Sequence, residues 1–79
     1  MKLTSVKTGT WVVVQALPDD PGAQQEVRSL AVNPGRPIRV IRRAPLWGPL
    51  LLDVNGSTRA LRWKTASRVE VEAVPYPDV

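Results

Sequence analysis

Cysteine, histidine and phenylalanine are all absent from the 79 residues. Without cysteine there is no disulfide framework, thiolate nucleophile or thiolate metal ligand, a composition that fits a reducing compartment. Without histidine the hydroxyl side chains have no imidazole to activate them, so nucleophilic catalysis is not expected. A transition-metal site would have to be built from carboxylates alone, which suit hard cations better than zinc or copper. The expected catalytic, cofactor and metal inventory is therefore none. No apolar run approaches the roughly 20 residues of a membrane span. The opening stretch, with Lys2, Thr4, Ser5 and Lys7, lacks the apolar core of a signal peptide, so a cytoplasmic protein is expected.

What the chain does have is positive charge and turn residues. Eleven lysines and arginines face seven acids, for a net charge of +4. The excess is concentrated: between Arg28 and Lys64 a series of arginines is offset only by Asp53. Such a surface suits nucleic acid, an anionic membrane, an acidic protein, or simple solvation. Seventy-nine residues allow one domain, with a core expected over about 3–74 and a tail over 75–79.

Residues 34–54 organise that domain. Ile38, Val40 and Ile41 interleave with arginines over 37–43, the near-alternation of a strand with one dry and one wet face. Pro45 and Pro49 then bracket Leu46, Trp47 and Gly48, predicting a bent, stiff loop, and 50–54 resumes as a strand. Asn55-Gly56 marks a two-residue hairpin that sets Val54 opposite Ser57, Leu52 opposite Arg59 and Leu50 opposite Leu61. Arg59 then lays its stem along the apolar face with its head in water, or follows a four-residue loop, or is a buried guanidinium poised for a ligand carboxylate, with no partner visible in the sequence.

Earlier in the chain, Leu3 and Val6 read as two plugs of a short turn, and 10–17 as a β-branched strand. Asp20 and Pro21 start a helix running to about Leu30, with Ala23, Val27, Leu30 and Ala31 as its apolar stripe and Gln24, Gln25, Glu26 and Arg28 in water. Asn33, Pro34 and Gly35 form a turn. A strand is expected over 58–63, a 3₁₀ turn over 64–67, and a strictly alternating final strand over 68–74.

Pro34-Gly35, the strand after it, Arg42-Arg43-Ala44-Pro45-Leu46, Gly48-Pro49, and Ala60-Leu61-Arg62 before Ala66 together resemble the FeoA family of small accessory proteins of bacterial ferrous iron uptake. A similar domain ends some DtxR-type repressors; no helix-turn-helix precedes it here, which favours the transport reading. The resemblance implies a mainly β fold, a small SH3-like five-stranded barrel with one short α-helix after the first strand. It also implies a partner, the FeoB membrane GTPase, with membrane association only through that partner. Candidate contacts are Leu30, Arg42, Arg43, Leu46, Trp47, Arg62 and Trp63. The Leu46-Trp47 pair is either an exposed contact or a cap folded over the barrel end. Family members usually close the helix with Leu-Gly; here Leu30-Ala31 stands instead, and Asn33 is an alternative left-handed residue. A basic nucleic-acid-binding barrel is the rival reading, through stacking on Trp11, Trp47 or Trp63. Open strand edges make a homo-oligomer conceivable.

Overall fold

The computed structural model describes residues 1–75; of the tail expected over 75–79, residues 76–79 lie outside the described residues. A 3₁₀ turn at Leu3–Ser5 is followed by β1 (Trp11–Ala16), α1 (Pro21–Ser29), β2 (Pro37–Arg43), β3 (Leu50–Val54), β4 (Ser57–Leu61), α2 (Trp63–Ala66) and β5 (Glu70–Val74). The strands form one antiparallel sheet in the order β4-β3-β2-β1-β5.

Strand alternation supplies the core. Val12 and Val14 of β1, Ile38 and Val40 of β2, Leu50, Leu52 and Val54 of β3, and Val71 of β5 turn inward, joined by Leu3, Val6, Val27, Leu61 and Val69. Burying a side chain of this size contributes about 1.5–3 kcal/mol, so the apolar face of each strand decides which way the sheet folds over. Two bulges help it bend: one between Val14 and Ala16, one between Val40 and Arg42. The second leaves Ile41 and Arg42 exposed side by side, a break in the expected alternation.

The barrel is open. β4 and β5 are the two ends of the ladder and do not pair with each other. α2, which joins them in the chain, packs against both α1 and the N-terminal turn and buries Thr65 and Ala66. Helical packing, with no fifth strand pairing to close the sheet, covers the core on that side.

Local signals set the helix. Asp20 Oδ2 accepts a hydrogen bond from the Ala23 N–H at 3.0 Å, with Pro21 at the first helical position. At the far end Ala31 itself takes the left-handed conformation, φ 62°, without the glycine usual at this position and at a strain of roughly 1–2 kcal/mol. The Ala31 N–H still closes the turn on the Arg28 carbonyl at 3.0 Å.

After β4 the structure departs from expectation. Trp63 opens an α-helical turn and is not the end of a strand: the Ala66 N–H donates to the Arg62 carbonyl at 2.9 Å and the Ser67 N–H to that of Trp63 at 2.8 Å. From this turn Trp63 packs on the core.

Candidate functional site

The Asn55-Gly56 hairpin has the expected register, with Leu50 opposite Leu61 and Leu52 opposite Arg59. Asn55 and Gly56 sit at φ 55° and 84°, and Arg59 is exposed. The other hairpin, between β2 and β3, carries the candidate site. Its ladder runs past Arg43–Leu50 to an Ala44 N–H donating to the Pro49 carbonyl at 3.1 Å, and the tip closes where the Gly48 N–H donates to the Pro45 carbonyl at 3.1 Å. Between them Leu46 and Trp47 stand at φ 59° and 57°. Consecutive positive φ angles are normally supplied by asparagine and glycine; a branched and an aromatic residue hold them at roughly 1–2 kcal/mol each.

This backbone keeps both side chains off the core. Leu46 is 89% exposed and Trp47 73%, so of the two readings of the pair the exposed one holds. Gly48 is required by space: a Cβ there would lie 2.7 Å from Ala44 Cβ and 3.1 Å from the Pro45 carbonyl oxygen.

The neighbouring candidates divide. Arg42 is exposed next to the loop. Arg43 is half-buried and donates from Nη2 to the Val6 carbonyl, fastening the N-terminal turn to the end of β2; its Nε is buried with no hydrogen-bond partner among the described residues. Leu30 and Trp63 pack against the core. The Leu50–Leu61 pairing brings Arg62 and Trp63 to the same end of the sheet as the loop.

Arg62 is engaged by a residue that no sequence motif singles out. Glu26, placed in water by the helical pattern, reaches across to accept from Arg62 Nη2 at 2.8 Å, Arg62 Nε at 3.2 Å, Thr65 Oγ1 at 2.6 Å and the Arg62 backbone N–H at 3.4 Å. The Arg62 guanidinium, with the Thr65 hydroxyl, outweighs partial burial and holds the Glu26 carboxyl at about 2. The cluster joins α1 to the start of α2. Its only sequence trace is that Glu26 is the acid just before the arginine-rich stretch.

Beside the cluster a cleft of about 210 Å³ is lined by Asp20, Gly22, Ala23, Arg62, Lys64, Thr65 and Arg68. Among the described residues no three acids gather into a metal-ligand cluster, and no helix is long and apolar enough to cross a membrane.

The FeoA domain model matches residues 1–73. The chain belongs to the FeoA family. A curated relative from Methanocaldococcus jannaschii, provisionally named Fe(2+) transport protein A, is 31% identical over 94% of this chain and 88% of its own length. The solution structure of FeoA from Chlorobium tepidum superposes with a TM-score of 0.83 at 26% identity, covering 99% of this chain and 74% of that one. FeoA of Stenotrophomonas maltophilia, solved with zinc and described as a prokaryotic SH3 domain protein, gives a TM-score of 0.74 at 28% identity over 91% of this chain and 89% of its own. A manganese-dependent transcriptional repressor shares the fold at TM-score 0.83 and 19% identity, over 94% of this chain and 41% of its own. The SH3-like, mainly β architecture expected from the resemblance is therefore shown, as an open sheet.

Proposed function

We propose that this FeoA-family chain is an accessory protein of ferrous iron uptake that works in the cytoplasm, without catalysis, by docking its 44–49 loop onto the cytoplasmic part of a FeoB-type membrane GTPase. The observation that carries the docking surface is the Leu46-Trp47 tip, 89% and 73% exposed and held outward by two left-handed residues. A rigid tip loses little conformational freedom on binding, and tryptophan and arginine are the types most enriched at binding hot spots. Arg42 beside the loop adds a charge for an acidic partner surface. The iron-transport context is supported by relatives: the Methanocaldococcus protein by its name, the Stenotrophomonas protein by its description as a candidate ferrous iron transport activating factor.

Calorimetry with the soluble GTPase domain of a FeoB-type transporter tests the reading. Saturable binding is expected, weakened at least about 30-fold in Leu46→Ala/Trp47→Ala, the scale of a hot-spot pair. Absence of binding, together with salt-dependent affinity for single-stranded oligonucleotides, would transfer the function to nucleic acid. Against that rival, Trp63 packs on the core, so the aromatics do not line one exposed platform.

A further inference from the structure

The two outer edges of the sheet are treated differently. Along β5 the N-terminal residues supply a covering segment: Lys2 bridges Glu70, the Val71 N–H donates to the Met1 carbonyl at 2.8 Å, and the Leu3 N–H donates to the Val69 carbonyl at 3.0 Å. Lys2 Nζ and the terminal ammonium hold the Glu70 carboxylate at 2.7 and 3.0 Å. That edge is covered where β5 begins, over 69–71.

Along β4 nothing comparable exists among the described residues. In a two-residue hairpin the closing pair exchanges backbone bonds, and so does every second pair beyond it. Here those pairs are Val54–Ser57, Leu52–Arg59 and Leu50–Leu61, so the N–H and C=O groups of Thr58 and Ala60 face away from β3. Arg62 is in phase with them, and its N–H does point outward, to Glu26 Oε2 at 3.4 Å. The third outward position is thus occupied by a carboxylate, and the first two are left open. Thr58, Arg59 and Ala60 are all exposed.

We propose that the outer edge of β4 is a docking strand for an extended segment of a partner protein carrying an acidic residue opposite Arg59. Backbone bonds to Thr58 and Ala60 supply the pairing, as in strand addition generally, and Arg59 selects by charge. Arg59 forms no salt bridge among the described residues, and the chain carries a net charge of +4. A second copy is the wrong occupant. Antiparallel β4–β4 pairing that uses both open positions sets Thr58 against Ala60 of the copy and Arg59 against Arg59, as a close, non-hydrogen-bonded pair of like charges. Sliding the register by two residues runs one strand into the Asn55-Gly56 turn, or into the Arg62 N–H already held by Glu26, and keeps only one of the paired positions.

The experiment follows backbone amide shifts of the full chain on adding the capped peptide Val-Glu-Val-Glu-Val. Saturable shifts centred on 57–61 and the adjoining β3 are expected. The same peptide N-methylated at its valines cannot donate to β4 and should bind at least about tenfold more weakly. Val-Lys-Val-Lys-Val should also bind more weakly, and Arg59→Glu should reverse the preference between the two charged peptides. Shifts centred elsewhere, equal affinity of the N-methylated peptide, indifference to charge, no saturable binding, or a dimer through β4 in sedimentation would each overturn the proposal. Neither probe nor readout involves a transporter, so the outcome is independent of the docking assigned to loop 44–49.

Discussion

The two tight hairpins of this sheet share a backbone and differ in residue type. At the β3–β4 turn, Asn55 and Gly56 occupy the two positive φ angles with little strain, and the Gly56 N–H is held by Asp53 Oδ1 at 3.0 Å. At the β2–β3 turn, Leu46 and Trp47 also occupy two consecutive positive φ angles, with side chains that disfavour them and find no burial in return. Stability accounts for the first turn and not for the second. Strain kept at an exposed apolar tip is what a recognition surface needs: the side chains are already presented, and binding has less order to impose.

The comparison can be broken by exchanging the residues. Asn55→Leu with Gly56→Trp puts the strained pair where no partner is proposed, and is expected to cost about 2 kcal/mol in chemical denaturation, from two left-handed residues at roughly 1–2 kcal/mol each, partly offset by the chain freedom that glycine no longer loses on folding. Gly48→Ala should cost about 2 kcal/mol, because its Cβ would meet Ala44 at 2.7 Å and the tip must shift to admit it. The reverse exchange, Leu46→Asn with Trp47→Gly, should stabilise the chain by about 1.5 kcal/mol while abolishing binding to the transporter domain; a loss of stability instead would show that the tip rests on the fold after all.

A smaller effect separates turns from tertiary clamps. Glu26 has its carboxyl lowered to about 2 in the folded chain, against an ordinary value near 4.3. A depressed carboxylate stabilises the fold above the unfolded value, and that contribution fades as pH falls from about 5 towards 2. With Arg62 mostly in solvent, Glu26→Gln should cost only about 1 kcal/mol at pH 7 and should flatten the acid limb of the stability curve. The turn variants should leave that limb unchanged.

Much of the fold was legible because its signals are short. Asn55-Gly56 carries the register of β3 on β4, Asp20-Pro21 starts α1, and near-alternation in β2 puts Ile38 and Val40 on its dry face, though Ile41, read with them, is exposed. Each depends on residues within a turn or two of one another. The boundary at Trp63 is not legible because alternation carries Trp63 onto the face of Leu61, and only the backbone bonds from Ala66 and Ser67 back to Arg62 and Trp63 show the turn into α2. Of the candidate site, the loop and its stiffness were visible in Pro45, Gly48 and Pro49, but not the direction of its tip.

By itself, then, the sequence determined the order of strands and helix, the hairpin register, the basic surface and the lack of imidazole and thiol chemistry. Only the tertiary structure decided that Leu46 and Trp47 face solvent, that Glu26 crosses 36 residues to hold Arg62, and that the start of β5 is covered while, among the described residues, Thr58 and Ala60 of β4 are not. The physical reason is range. Turn and cap preferences are energies of a few neighbouring dihedrals, whereas exposure, ion pairing and edge protection depend on which distant segments the packed core brings together.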